Sequence, residues 1–156
     1  MGTGNITVKN DPRILPFGKF LRSSKINELP QLINILKGEM SIIGPRPLTK
    51  DQFDKYPMNI QEELKKIRPG LSGIGSIIFR NEEEILELEQ NLKMHEDILS
   101  YKATLESWYY RNRSIYLYFL TIFLTLLVVI FPSVKPINIL PKSLPKAPED
   151  IKDLLP

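Results

Sequence analysis

From Ile115 to Phe131 the chain runs without a charged residue, and Pro132 ends the run. Such a stretch has to be shielded from water, which restricts it to a span across a bilayer, a helix lying in the plane of a membrane surface, or a helix buried in a protein core. Its length falls at the short edge of the ~17–25 residues that a spanning helix needs, so all three arrangements stay open. Arg111 and Arg113 precede it, and Trp108, Tyr109, Tyr110, Tyr116 and Tyr118 cluster around its start. Residues of these types gather where a chain meets lipid headgroups, and the basic side is expected to face the cytoplasm.

The rest of the 156-residue chain suffices for one domain with a modest core and does not suit a second. The expected organisation is a domain over residues 1–112, a hydrophobic membrane helix over 113–132, and a proline- and lysine-rich, poorly ordered tail over 133–156 with at most a short helix near Glu149 to Leu155. The absence of cysteine excludes disulfides and thiolate metal sites and fits a reducing compartment. Between Met1 and Ser24 no apolar core of signal-peptide length follows the positive residues, so export is not indicated. A net charge of +3 says little, but Lys9, Arg13, Lys19, Arg22 and Lys25 stand together with only Asp11 opposing them. That basic stretch suits anionic headgroups or a diphosphate as well as a solvated surface. Because it is not interleaved with an aromatic stacking platform, nucleic acid is not an expected partner.

Asn27 is a good helix N-cap, which places Glu28 in the first turn and Pro30 where its missing amide costs nothing. Leu29, Leu32, Ile33 and Leu36 then repeat at helical spacing, and Gly38 supplies a stop. The free amides and positive dipole end of such a helix suit an anion, and Arg22 upstream with Arg46 downstream suit phosphate. On these features alone, an ordinary structural helix is the commoner reading. Met40 to Ile43 reads as a short extended piece, and Pro45 and Pro47 stiffen a loop that holds Arg46 outward. Thr49 to Ile67 reads as one or two surface helices interrupted at Pro57, with nothing catalytic in it.

The glycine-punctuated stretch from Arg68 to Gly75 is expected to lead into a strand over Ser76 to Phe79. Asn81 can cap a helix with Glu82, Glu83 and Glu84 in its first turn, where the helix dipole favours solvated carboxylates over a metal site. His95, the only histidine, has no partner of metal-binding spacing and is assigned neither metal nor acid–base work. Leu99, Leu105, Trp108 and Tyr109 are expected as core or interfacial contacts on a further helix.

Several of these pieces occur together in one order: Phe20-Leu21-Arg22, Asn27-Glu28-Leu29-Pro30-Gln31, Leu36-Lys37-Gly38-Glu39-Met40-Ser41, Gly44-Pro45-Arg46-Pro47 and Arg68-Pro69-Gly70-Leu71-Ser72-Gly73. In that order they resemble the bacterial sugar transferases, the monotopic phosphoglycosyl transferases. The likeness extends from about Ile6 to Ser114 and includes the late aromatic and asparagine-serine element at Glu106 to Ser114. The resemblance implies an α+β, mainly helical fold with short strands, a catalytic domain over 1–112, and transfer of a sugar-1-phosphate from a UDP-sugar to polyprenol phosphate. The place implied is the cytoplasmic face of the bacterial inner membrane, at the first step of surface polysaccharide synthesis.

It also implies Mg2+ as cofactor, with Glu28 as its ligand and as a catalytic residue beside Asn27. Arg22, Arg46 and Arg80 are implied to bind substrate phosphates. At position 27 the family has an aspartate nucleophile, whereas a neutral carboxamide cannot attack as a carboxylate does. A catalytically impaired member acting as a binding or membrane-scaffold protein is therefore the alternative reading. The family's tryptophan and alanine-glutamine are replaced by Ile74 and Gly75-Ser76, leaving Arg80-Asn81 of its later glycine-arginine-asparagine. Tyr118 and Leu120 stand where relatives commonly carry charges, so the last helix is apolar all round rather than amphipathic. Relatives further carry a re-entrant membrane helix and a basic segment ahead of the matching region, so the chain is expected to correspond to such a protein entered partway through. Homo-oligomerisation or association with other glycan-assembly proteins stays open.

Overall fold

Two short strands are drawn together at glycines. In the computed structural model, which describes residues 29–80, 92–131 and 133–152, β1 (Ser41–Ile43) pairs in parallel with β2 (Gly70–Ser72), Ser41 opposite Gly70 and Ile43 opposite Ser72. A Cβ on Gly70 would lie 2.1 Å from the Gly44 nitrogen, so no larger residue fits that approach. Parallel strands need a crossover. Here it is made by α2 (Lys50–Phe53) and α3 (Met58–Leu64). Thr49 starts α2 with a reciprocal capping box to Gln52, and Pro57 stands at the N-cap of α3, which is the interruption expected there.

Ahead of β1, α1 (Pro30–Leu36) begins with Pro30 in its first turn and Leu29 as its N-cap residue. The N-cap expected at Asn27 and the first-turn place expected for Glu28 lie outside the described residues. Gly38, at φ +76°, ends the helix as expected: its N–H bonds Ile35 at 3.0 Å and the Glu39 N–H bonds Asn34 at 2.9 Å, the two bonds of a Schellman closure. The apolar stripe of α1 is exposed, Leu36 at 88%.

Ser76 to Phe79 was expected as a strand; instead α4 (Ile74–Ile78) begins directly after Gly73, whose extended backbone turns the chain out of β2. A short apolar run satisfies either period, and packing decides it. Ile74 and Ile78 are fully buried against α5 (Leu92–Arg111), where Leu105 and Ile98 are equally enclosed. The expected core residues Leu99, Leu105 and Tyr109 are buried, and Trp108 packs against the core. The strand and turn expected near Ile6 and Asp11, and the helix expected from Asn81, lie outside the described residues.

α6 (Ile115–Ile130) opens on Ser114, whose hydroxyl accepts the Leu117 N–H at 3.1 Å. Its buried face is Leu117, Thr121, Leu124 and Val128, one helical stripe. Thr121 and Thr125 return their hydroxyls to carbonyls four residues back, and the Thr125 hydroxyl also meets that of Ser72 at 2.9 Å, which ties α6 to β2. At ~1.5 Å per residue the helix is roughly 24 Å long, short of a ~30 Å hydrocarbon core. Among the described residues no helix is long and apolar enough to cross a membrane.

The region expected as a poorly ordered tail packs instead. A 3-10 turn at Pro136–Asn138 and α7 (Glu149–Lys152) bring Pro136, Leu140 and Ile151 into the core, and the Tyr101 hydroxyl donates to the Pro145 carbonyl at 2.7 Å. The many prolines leave few conformations to lose on docking, so a handful of spaced apolar anchors holds the segment.

Candidate functional site

A cleft of about 660 Å3 opens beside β1, between the segment that leads into β2 and the start of α6. Three cationic side chains line it, Lys66 and Arg68 from the segment between α3 and β2, and Arg113 from the turn before α6. The Arg113 guanidinium sits 4.8 Å from the centre of the Tyr110 ring, a cation–π placement. Arg111 is hydrogen-bonded through Nε and Nη2 to Glu63. The two arginines expected to mark the membrane end of α6 thus divide their work.

Glu106 is the acid in the cleft, buried on α5. Its Oε1 accepts the Gly75 N–H at 3.0 Å, while Oε2 is buried with no hydrogen-bond partner among the described residues. Burial pushes its carboxyl up from 4.5 to about 7, against the lowering pull of the Gly75 amide and of Lys102. Glycine makes the placement: a Cβ on Gly73 would come within 2.6 Å of Glu106 Oε1. Tyr109 lines the same cleft, and burial above all raises its phenol to about 12, so it stays a neutral hydroxyl.

Pro45, Ile67 and Glu106 also form a wall of a smaller cavity of about 130 Å3, lined further by Arg46, Ser76 and Lys102. The loop that the two prolines stiffen therefore brings Arg46 to the far side of Glu106. Arg80 is exposed after α4 and lines neither of these two cavities. Arg22, Asn27 and Glu28 lie outside the described residues. Among the described residues no group of three histidine, aspartate or glutamate side chains gathers to hold a metal ion, and Glu106 Oε2 is a single donor. These residues alone do not make a magnesium site.

Reading the sequence missed Glu106 as a site residue and passed over Lys66 as part of a surface helix. The signal available was a lone carboxylate in register with Lys102 and Tyr109 on a face otherwise filled by Ile98, Leu99 and Leu105.

Residues 2–132 match the family model described as bacterial sugar transferase. An uncharacterized sugar transferase of Haemophilus influenzae is 37% identical over 123 residues, which cover 79% of this chain and 23% of that protein. The undecaprenyl-phosphate galactose phosphotransferase of Salmonella typhimurium is 35% identical over 105 residues, 67% of this chain and 19% of the relative. The UDP-glucose:undecaprenyl-phosphate glucose-1-phosphate transferase of Klebsiella pneumoniae is 38% identical over 120 residues, 75% of this chain and 24% of the relative. The chain matches about a quarter or less of the length of these relatives.

Proposed function

We propose that this chain, which belongs to the bacterial sugar transferase family, works as part of a phosphoglycosyl transferase that moves a sugar-1-phosphate from a UDP-sugar to undecaprenyl phosphate at a membrane. The observation that carries the reading is the cleft itself, in which Lys66, Arg68 and Arg113 face a space floored by a buried, titratable carboxyl. In the overall transfer the bond joining the two phosphates of the UDP-sugar breaks, UMP leaves with the bridging oxygen, and the sugar-1-phosphate becomes bonded to a phosphate oxygen of the lipid. Negative charge is present on donor, acceptor and leaving group throughout. Fixed cations in a partly dry cleft stabilise it without having to reorganise.

Glu106 suits a proton transfer in that scheme. Its value of about 7 lies near the second ionisation of a phosphate monoester, ~6, so at neutral pH it can take the last proton from the lipid phosphate as that oxygen becomes a nucleophile. Arg46 approaches from the other side of the same carboxyl and is assigned to the donor phosphates. Magnesium enters this reading through Glu28 and would supply charge neutralisation at the diphosphate. A two-step route through residue 27 requires a carboxylate there, and Asn27 has none.

The exposed face of α6 supports a place in the plane of the membrane surface. Ile115, Phe119, Phe123, Leu126 and Ile130 are all at least half exposed along one side of the helix. The proposed setting is the bacterial inner membrane with the cleft on the cytoplasmic side, next to the basic end of the helix.

The test is UMP release from UDP-sugars by the full chain with Mg2+ and undecaprenyl phosphate, alongside Asn27→Asp. Release by the parent supports turnover as it stands. Release by Asn27→Asp alone identifies a catalytically weakened relative that retains the binding site. If neither protein releases UMP, even joined to the preceding portion of a matching relative, the enzymatic reading is lost.

A further inference from the structure

We propose that the 660 Å3 cleft is the seat of the lipid substrate, taking a phosphate-monoester headgroup on Arg68 and Arg113 and letting the hydrocarbon chain leave over Ile115 and Phe119 onto the exposed face of α6. This rests on the membrane reading above and adds to it a place for the acceptor, distinct from the Arg46 side of Glu106.

The cleft has two unlike ends. One carries Lys66, Arg68 and Arg113; the other carries Ile115, Tyr118 and Phe119. Ile115 and Phe119 are 81% and 62% exposed, and the apolar stripe they begin continues through Phe123, Leu126 and Ile130 to the end of the helix. A soluble nucleotide sugar has no use for that lip, and an uncharged lipid has none for three cations. A hydrocarbon chain ending in an anionic phosphate monoester uses both ends at once, with charge-assisted bonds at the head and area burial along the chain. Ser114 opens α6 at the junction, so the positive end of the helix faces the same anion. Arg111, two residues earlier, is committed to Glu63, whereas Arg113 lies over Tyr110 and lines the cleft. A phosphate that reached Glu106 from this side would also meet its unpartnered Oε2, the atom placed to accept its proton.

Co-flotation of the full chain with vesicles tests the assignment. Three compositions are compared: phosphatidylcholine alone, phosphatidylcholine with undecaprenyl phosphate, and phosphatidylcholine with phosphatidylglycerol matched to the same surface charge. Binding should be roughly tenfold tighter to the undecaprenyl phosphate vesicles than to the charge-matched ones, the factor that one bidentate pair provides. Inorganic phosphate should compete only weakly, since it lacks the chain. Arg113→Gln and Arg68→Gln, both at exposed positions, should each remove most of that preference with an unchanged melting temperature. Phe119→Ser should weaken binding to all three vesicles and leave the preference intact. Equal binding to the two anionic vesicles, or a preference that survives both arginine changes, overturns the seat while the membrane reading stands. Failure of the parent chain to float with any vesicle overturns both.

Discussion

Two glutamates meet the same helix, and their surroundings drive them in opposite directions. Glu63, on α3, receives the Arg111 guanidinium and the Ser107 hydroxyl from α5, and these hydrogen bonds hold its carboxyl below the usual carboxylate range. Glu106, one residue before Ser107 and so about 100° around α5 from it, is enclosed with a single backbone donor and is raised to about 7. The first is a clamp that fastens the crossover helices to the long helix. The second costs stability at neutral pH, since burial of a charge with one donor is poorly compensated. The difference indicates which glutamate is kept for chemistry: structure alone is served better by the arrangement at Glu63.

The largest test of that contrast is turnover. Glu106→Gln preserves shape and the Gly75 bond but cannot accept a proton, so UMP release should fall by roughly 10²–10⁴-fold, the range for loss of a general base. A loss under tenfold would remove Glu106 from the proton transfer. Stability should move the other way. The folded carboxyl binds its proton more tightly than the unfolded one, so its contribution is full below about pH 4.5 and is lost as the pH rises through about 7. At ~1.4 kcal/mol per unit, the parent should lose on the order of 3 kcal/mol across that window while Glu106→Gln does not, as chemical denaturation at pH 5 and pH 8 will measure.

Gly73→Ala asks whether the buried carboxyl depends on its glycine bed. The new Cβ would press on the Gly44 carbonyl at 2.5 Å and on Glu106 at 2.6 Å, so a loss of about 1–3 kcal/mol is expected, with a displaced titration of Glu106. An unaltered titration would contradict the tight placement. The smallest effect should come from Glu63→Gln, because solvent screens an ion pair at the surface. Its sign is opposite. The lowered carboxyl contributes above its usual titration range and loses that contribution as the pH falls, so parent and variant should converge in acid.

Much of the frame follows from local chemistry. The Gly38 stop, the extended piece before Gly44, the break at Pro57 and the extent of α6 are each dictated by a backbone preference or an apolar run, and each is readable residue by residue. Arg46 could be placed in a stiff loop for the same reason. What could not be read depends on distant partners. Ser76 to Phe79 satisfies strand and helix alike until α5 packs on it. Glu106 looks like any helical surface acid until Gly73 and Gly75 close over it. Residues 133–152 have a linker's composition, and only the groove that receives Ile151 makes them structural.

That last segment also sets an order of events. Ile98, Tyr101 and Leu105 belong to the main core cluster together with Leu140 and Ile151, and the segment that carries Ile151 packs on α5. A chain still being synthesised would therefore expose an unfinished apolar groove on α5 until residue 151 has cleared the ribosome exit. Its final packing is a late, long-range closure, the slow kind of contact to form, and a nascent chain halted near residue 131 would be a natural client for chaperones.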